Sequence, residues 1–356
     1  MKAWGLFKIC VLAFRNALGL VIILDFFSSS LFVAGFAPWR CSGCNDGKGR
    51  FPPVLRMAAS SIDSPCMLEL LQRKQQEIRM LEKAHQEPTD PVQVRLGHVS
   101  STSNLALSRA LRLFTLGEHR RRISLVVDMK RRSPTARHLP FIVDKFQDAG
   151  RRSRELFEMG ASVVMVNTDQ IGWGGSLDDL RAVDEMRQRR SAESVDNAEV
   201  HIRSAILAKD VYLHPIQIAA AAEAGADGVV LMASLLGSRL EDLLDACTVM
   251  GIEAVVDVHT PNECEHALKL GAMALSLNNW DRTDGVWRAN QAETVRRLVP
   301  DNVVTVAAGG IGSSDEARRL HEAGFDAVVL GRALTAHPDP TRLADHIRAV
   351  GTQGLR

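Results

Sequence analysis

Charged side chains follow short apolar runs at three points in the chain, where they could carry out acid–base chemistry. Asp128 and Lys130 lie in V-V-D-M-K, Lys209 follows A-I-L-A, and Asp257 follows A-V-V. If these runs are strands, side chains two residues apart share a face, so Asp128 and Lys130 lie together. Burying such charges is costly unless they pair, and a paired group can transfer protons with perturbed pKa values. For any single lysine, a solvent-exposed ammonium on a long apolar stem is the alternative.

Glycines end the last two apolar runs of the chain and could bind an anion. Gly309 and Gly310 lie in V-A-A-G-G-I, and Gly331 and Arg332 lie in V-L-G-R. Glycine lets backbone N–H groups approach a phosphate closely, and an arginine can add a charge-assisted hydrogen bond. The alternative is that these glycines serve only tight turns between a strand and a helix.

The elements that must position these residues alternate along the chain. Apolar, largely β-branched runs predict eight strands, at 125–129, 162–166, 205–208, 228–232, 254–258, 272–277, 303–307 and 327–330. Helical patterns lie between them, at 177–187, 215–224, 240–250, 261–270, 292–299 and 315–323. Continuous apolar strands separated by single helices predict a parallel sheet covered on its outer face. Eight such units favour an α/β fold of the (β/α)₈ TIM-barrel type over a flavodoxin-like or Rossmann sheet, and catalytic groups in a TIM barrel come from the carboxyl ends of the strands.

A helix is predicted before the barrel. Residues 67–81 repeat apolar side chains at helical spacing with charges between them, which is typical of an amphipathic helix. Residues 85–105 are rich in polar residues and prolines, and they predict a connecting loop.

Composition and charge exclude several classes of protein. The chain is 46% hydrophobic and 24% charged, which is ordinary for a globular protein with a large core. A formal net charge of +1 gives no overall field to attract nucleic acid or an acidic membrane surface, so any bound anion must be held locally. The six cysteines form no disulfide framework, and the histidines form no cluster with metal-ligand spacing. We therefore expect neither a metal nor a partner nucleic acid.

The amino terminus has the composition of a targeting sequence. Residues 1–35 combine early basic residues with an apolar stretch and predict a signal peptide, in which Asp25 would make a membrane span costly. Residues 36–62 contain one acidic residue, Asp46, and the basic residues Arg40, Lys48, Arg50 and Arg56. This composition is typical of transit peptides. The junction V-A-G-F-A-P resembles that of two-part presequences directed to complex plastids, and a secretory signal with a linker is the alternative. We expect a mature protein of the plastid stroma, outside any membrane.

Several segments, in the same order along the chain, resemble the indole-3-glycerol phosphate synthase family. V-V-D-M-K-R-R-S-P-T is similar to that family's E-x-K-x-x-S-P-S, and T-D-Q-I-G-W-G-G-S to its T-D-x-x-Y-F-x-G-S. A-I-L-A-K-D-V-Y-L-H-P-I-Q-I resembles P-V-L-x-K-D-F-I-I-D-P-Y-Q-I, and L-N-N-W-D, A-G-G-I and L-G-R-A-L follow. The resemblance spans residues 67–335 and implies one domain over 63–356, a TIM barrel with an N-terminal helical extension.

The resemblance also implies an activity and a role for each residue. The family acts in tryptophan biosynthesis, closing the indole ring of 1-(2-carboxyphenylamino)-1-deoxyribulose 5-phosphate with loss of CO₂ and water, and needs no cofactor. Lys209 would protonate the substrate carbonyl oxygen, Lys130 would bind the substrate carboxylate and Asp128 would orient the lysines. Asp257 would stand at the proton-transferring glutamate. The remaining positions are substrate-binding Ser133, Trp173 and Asn278, and phosphate-binding Gly309, Gly310, Gly331 and Arg332.

The chain departs from the family pattern at several of these positions. Asp128 and Asp257 replace glutamates, Ala308 replaces a further glutamate, and Trp280 stands where the family usually has an arginine. The other changes are Gly309 and Ala333 for serines, Arg332 for a glutamate and Val211 for a phenylalanine. A carboxylate withdrawn by one methylene, roughly 1 Å, can slow a proton transfer, so we expect reduced activity. A related barrel acting on another sugar phosphate and a non-catalytic binding protein are the alternatives.

The presequence makes the first testable prediction. We expect cleavage after Gly35 and again near residue 60, because the signal-like and transit-like segments end there. Amino-terminal sequencing of the mature protein checks this, and a mature chain that still begins at Met1 contradicts it.

Overall fold

Eight parallel strands close into one barrel in chain order, with the last strand paired to the first. The computed structural model describes residues 65–97, 99–100, 105–114, 121–133, 143–193, 204–282 and 284–351. The strands are β1 (Ser124–Met129), β2 (Val163–Asn167), β3 (Ala205–Lys209), β4 (Gly228–Met232), β5 (Glu253–Val258), β6 (Ala274–Asn278), β7 (Val304–Ala308) and β8 (Ala327–Leu330). The predicted TIM barrel is confirmed. The predicted signal and transit peptides, residues 1–62, lie outside the described residues.

Helices precede the barrel and cover its outer face. They are α1 (Pro65–Ala84), α2 (Pro91–Gly97), α3 (Ala106–Leu111), α4 (Ala149–Glu158), α5 (Leu177–Glu193), α6 (Pro215–Glu223), α7 (Ala233–Leu236), α8 (Leu240–Met250), α9 (Pro261–Lys269), α10 (Gln291–Arg296), α11 (Ser314–Glu322), α12 (Arg332–Thr335) and α13 (Pro340–Arg348). A short antiparallel pair, Leu113–Phe114 with Arg121–Arg122, lies between α3 and β1. Among the described residues, the helices are all too short or too polar to cross a membrane.

Strand alternation divides the apolar residues of the barrel between two cores. Inward side chains such as Val126, Met165 and Leu207 form the barrel interior, whereas outward ones such as Val127, Val164 and Ile206 pack against the surrounding helices. Because both faces of each strand are buried, the sequence shows continuous apolar runs rather than an alternating pattern.

A short helix closes the amino-terminal end of the barrel. Leu107 and Leu111 of α3 are buried among the inward residues. The carboxylate of Glu253, at the start of β5, accepts hydrogen bonds from the backbone N–H groups of Leu107 (2.8 Å) and Ser108 (3.0 Å). A residue distant in sequence therefore satisfies the free N–H groups at the start of α3.

The loop predicted over residues 85–105 is wrong in part, because it contains α2. Asp90 accepts a hydrogen bond from the N–H of Val92 at 2.8 Å, and Pro91 occupies the first helical position, where its fixed φ is favourable. Of the seven residues of α2, Val92 is the one that is buried. Seven residues with a single buried position give too little periodicity for a helix to be predicted.

The close packing around Gly228, at the start of β4, leads to a second testable prediction. A Cβ atom there would overlap the buried side chain of Leu107 and lie 2.8 Å from the carbonyl oxygen of Glu253. We expect Gly228→Ala to lower the free energy of unfolding by about 1–3 kcal/mol, the usual cost of overpacking. Urea unfolding of this variant and of Gly97→Ala, whose Cβ would meet nothing within 4 Å, measures the difference. Equal stability of the two variants would contradict the proposed contact.

Candidate active site

A ring of polar side chains lies at the carboxyl end of the barrel, formed by the last inward residue of most strands. The ring comprises Asp128, Asn167, Lys209, Asp257 and Asn278, together with Ala308 on β7. The register sets Asn167 opposite Lys209 and Asn278 opposite Ala308. Sequence-predicted residues from four strands are therefore brought to one end of the barrel, and no carboxylate is present on β7 at this level.

Asp128 is the centre of one half of the ring. Its carboxylate pairs with the ammonium of Lys130, lies 3.8 Å from Nζ of Lys209 and accepts a 2.7 Å hydrogen bond from Nδ2 of Asn167. Burial by itself would raise the pKa of Asp128, but the two ammonium groups and the hydrogen bonds outweigh it and hold that pKa well below its usual range. Asp128 is therefore ionised and pairs with both lysines.

The side chain of Lys209 is 12% exposed, and its ammonium interacts with both carboxylates of the ring. Burial is the largest influence on it, and with the charges of Lys130 and Arg282 it lowers the pKa of Lys209 to about 8, against the opposite effect of Asp128 and Asp257. A lysine with this pKa is largely protonated at neutral pH and can give up its proton more readily than an exposed lysine. That is the property required of a general acid.

Asp257 is the centre of the other half of the ring and is 3% exposed. Its Oδ1 accepts hydrogen bonds from Oγ of Ser276 (2.8 Å) and Nδ2 of Asn278 (3.3 Å). Its Oδ2 lies 3.7 Å from Nε2 of His259 and 3.5 Å from Nε of Arg282. Burial raises the pKa of Asp257, but Arg282, His259 and Lys209 outweigh burial and lower it. Asp257 is therefore also ionised.

The loop after β6 brings an unpredicted arginine into the ring and folds back on itself. Trp280 forms an isolated antiparallel bridge with Trp287, and the N–H of Trp280 donates to Oδ1 of Asn278 at 3.0 Å. Two residues after Trp280, the side chain of Arg282 reaches Asp257 and is 14% exposed. The absence of an arginine at position 280 therefore does not leave this carboxylate without a guanidinium.

The glycine turns after β7 and β8 lie beside the ring. Gly309 and Gly310 both have φ of 92°, a conformation that favours glycine, and a Cβ at Gly309 would lie 2.5 Å from Oδ1 of Asn278. The carbonyl oxygen of Gly309 accepts a 3.1 Å hydrogen bond from the indole nitrogen of Trp287. A Cβ at Gly331 would lie 3.5 Å from Asp128, so the turn after β8 adjoins the other half of the ring.

The two turns also adjoin each other. A Cβ built on Gly312 would lie 3.6 Å from Cβ of Ala333, which links the loop after β7 to the start of α12. Nε of Arg332 is buried and has no hydrogen-bond partner among the described residues. The predicted phosphate-binding residues thus lie in two adjoining turns beside the ring, and their phosphate-binding role stays a prediction.

A family model described as indole-3-glycerol phosphate synthase matches residues 68–347. The chain belongs to the indole-3-glycerol phosphate synthase family. It is 32% identical to the indole-3-glycerol phosphate synthase of Opitutus terrae over 231 residues, which cover 64% of this chain and 80% of that protein. It is 34% identical to the enzyme of that name from Kineococcus radiotolerans over 234 residues, 65% of this chain and 78% of that protein.

Among solved structures, the barrel is similar to 3-hexulose-6-phosphate synthase from Salmonella typhimurium. The TM-score is 0.48 with 17% sequence identity, and the superposition covers 65% of this chain and 99% of that protein.

The remaining predicted residues of the synthase family pattern, Ser133 and Trp173, lie in the loops after β1 and β2. Both are buried, and the carbonyl oxygen of Trp173 accepts hydrogen bonds from the N–H groups of Arg131 (3.2 Å) and Arg132 (3.1 Å). The loop after β2 thus packs on the loop after β1, as contact with one substrate would require. Their substrate-binding role stays a prediction.

A buried lysine of α1 fastens this helix to the same end of the barrel. Lys74 is 1% exposed, and its Nζ lies 2.6 Å from Oδ1 of Asp210, 3.0 Å from Oδ2 of Asp169 and 2.7 Å from Oε2 of Glu77. Burial lowers the pKa of Lys74, but the three carboxylates outweigh burial and raise that pKa above its usual value. Because Asp210 follows Lys209 directly, α1 holds the end of β3 in place.

Sequence reasoning missed Asn167, Arg282 and Lys74. Asn167 ends a strand in V-M-V-N, a signal that extending the strand by one residue would have used. Lys74 interrupts the apolar stripe of the predicted amphipathic helix, which is a signal for a buried charge. Arg282 lies in a loop, and its position had no periodic signal.

The buried ion cluster around Lys74 leads to a third testable prediction. Removing one partner of a buried ion pair leaves uncompensated charge, so we expect Lys74→Met to lower the free energy of unfolding by about 3–5 kcal/mol. Lys83→Met, on the exposed end of the same helix, is the control and should change stability by less than about 0.5 kcal/mol. Chemical denaturation measures both. If Asp169→Asn and Asp210→Asn added to Lys74→Met restore no stability, the ion cluster is not the cause.

Proposed function

We propose that this chain closes the indole ring of 1-(2-carboxyphenylamino)-1-deoxyribulose 5-phosphate to give indole-3-glycerol phosphate, with loss of CO₂ and water, in tryptophan biosynthesis. The observation that carries the proposal is the ring itself. Lys130 and Lys209 share Asp128, the charge of Asp257 also acts on Lys209, and the glycine turns after β7 and β8 adjoin Asn278 and Asp128. The family membership gives this arrangement its reaction.

The charge balance of the ring supports an anionic substrate. Three cationic side chains, Lys130, Lys209 and Arg282, face two ionised carboxylates, so the ring carries an excess of positive charge. The substrate carries a carboxylate and a phosphate. We assign the substrate carboxylate to Lys130, which is paired with Asp128 near Gly331, and the phosphate to the turns at Gly309, Gly310, Gly331 and Arg332.

The first chemical step uses Lys209. The ring carbon that bears the carboxylate attacks the carbonyl carbon of the ribulose chain, and Lys209 transfers its proton to the carbonyl oxygen, which becomes a hydroxyl group. Departure of CO₂ then restores the aromatic ring. A lowered pKa suits Lys209 to this role, because the proton leaves a buried ammonium with less cost than an exposed one.

The second step eliminates water, and Asp257 is the base that we assign to it. Its pKa lies below the usual range, so it is ionised and able to accept a proton. Asn278 donates to its Oδ1 and leaves Oδ2 directed toward His259 and Arg282. Asp257 takes a proton from the CH₂ carbon next to the ring nitrogen, the hydroxyl group leaves as water with a proton from solvent or from Lys209 after solvent has reprotonated it, and the new carbon–carbon double bond completes the indole ring.

The two alternatives have less support. A different sugar phosphate would not require a paired lysine, Lys130, for a second anion, and a binding protein would not require a lysine with a lowered pKa in the barrel mouth. Ala308 and the shorter Asp257 support a slower synthase rather than another reaction, because the two lysines and Asn278 are retained.

We also infer a plastid location for this enzyme. The family match begins at residue 68, so the signal-like and transit-like segments precede the part of the chain shared with the family. The composition of residues 1–62 supports the inference, and sequencing of the mature amino terminus tests it.

The enzyme activity makes the fourth prediction. The mature chain should restore growth of a tryptophan auxotroph that lacks the synthase, and Lys209→Ala should lower kcat by about 10²–10⁴-fold, the usual contribution of a positioned general acid. In the wild type, kcat should fall as pH rises through about 8, because Lys209 then loses the proton it must donate.

Lys145→Ala is the matched control, since this lysine lies in the loop before α4 and is exposed. It should leave kcat and its pH dependence unchanged. The assignment fails if the purified wild type, folded by circular dichroism, neither restores growth nor forms indole-3-glycerol phosphate from the substrate.

A further inference from the structure

Arg282 makes an unusual approach to the ring, because it comes from a loop and ends on a buried carboxylate. Its Nε lies 3.5 Å from Oδ2 of Asp257, which is too long for a strong hydrogen bond but close for two opposite charges. Within the described part of the chain, Oδ2 of Asp257, Nε of Arg282 and Nε2 of His259 are buried atoms without a hydrogen-bond partner. Arg282 and Asp257 therefore interact through their opposite charges rather than through a fixed hydrogen bond.

The neighbours of Asp257 come from two strands and two loops. Lys209 faces it from β3, Ser276 and Asn278 from β6, His259 from the loop that begins after β5, and Arg282 from the loop after β6. Arg282 is the largest of the charges that stabilise its ionised form. Burial alone would otherwise favour the protonated acid, which cannot act as a base.

The neighbours of Lys209 overlap with this set. Asp128 and Asp257 stabilise its ammonium, whereas Lys130 and Arg282 oppose it. Arg282 thus favours the ionised form of one proton-transferring group and the neutral form of the other. Both effects act in the direction in which the two groups exchange protons with a substrate.

We propose that Arg282 is a positioning residue of this enzyme, whose guanidinium keeps Asp257 ready to accept a proton and Lys209 ready to donate one. The proposal rests on the proposed function and adds to it the residue that sets its pH range. It follows from the side-chain placement of a loop residue, because Nε of Arg282 lies 3.5 Å from Oδ2 of Asp257 and has no hydrogen-bond partner among the described residues.

The test compares the pH profiles of kcat for the wild type, Arg282→Leu and Arg282→Lys. Leucine removes the charge, so both the acidic limb, set by Asp257, and the alkaline limb, set by Lys209, should move to higher pH. At pH 6 we expect kcat to fall about tenfold with KM changed less than about threefold. Lysine keeps the charge and should return both limbs toward those of the wild type.

Arg288→Leu is the control, because Arg288 belongs to the same loop but pairs with Asp281 and Asp284 at the surface. Its profile should match the wild type. If Arg282→Leu lowers kcat equally at every pH, or if Arg282→Lys restores nothing, Arg282 has a merely structural role and the proposal is wrong.

A second measurement separates this proposal from the proposed function. The titration of Lys209 can be followed by NMR of ¹³C-methylated protein, with the signal assigned by comparison with Lys209→Arg, and it requires no turnover. Its midpoint should be higher in Arg282→Leu than in the wild type and unchanged in Arg288→Leu. A wild type that is inactive but shows this shift would overturn the assigned reaction and support the role of Arg282, whereas an active wild type without the shift would overturn only the latter.

Discussion

The inward side chains of a closed parallel barrel have one another as their main neighbours, and this constraint governs the rest of the structure. Along each strand every second residue points inward, so the interior fills in layers. Val126, Met165 and Leu207 belong to the apolar layers, and α3 covers them from below. The next inward residue toward the carboxyl end has no layer above it. Polar side chains are tolerated there, and the polar ring of the candidate active site occupies that level.

Burial then limits which charges the ring can hold. An isolated ammonium or carboxylate would change its protonation state rather than remain charged, so each needs a partner. Asp128 has Lys130, Lys209 and the amide of Asn167, while Asp257 has Arg282 and His259. Burial and the charges of Lys130 and Arg282 lower the pKa of Lys209, whereas its pairing with the carboxylates limits that shift. Burial is therefore both the reason that the charges must pair and the main cause of the acid–base property of Lys209.

The departures from the synthase family pattern have unequal consequences. Trp280 replaces the arginine that the family usually has, but Arg282 supplies a guanidinium to Asp257 instead. It can do so because the loop after β6 turns back through the bridge between Trp280 and Trp287. Gly309 has a positive φ and lies against Asn278, so a serine at this position would be strained and its Cβ would overlap the Asn278 side chain. Nothing in the described residues replaces the carboxylate absent at Ala308. The slower reaction that we expect from the sequence has its basis at that position.

The sequence by itself determined the barrel and the order of its strands, because burial on both faces makes each strand a continuous apolar run. It also placed Asp128, Lys130, Lys209 and Asp257 at the carboxyl ends of their strands. It placed four strand ends one residue too early, since the apolar run stops where the ring begins, whereas the backbone pairing continues through Asn167, Lys209, Asn278 and Ala308. Tertiary structure alone decided that Arg282 reaches Asp257 and that Lys74 joins Asp169 to Asp210. These contacts join residues from separate elements, and no local periodicity specifies which loop or helix side chain meets a given carboxylate.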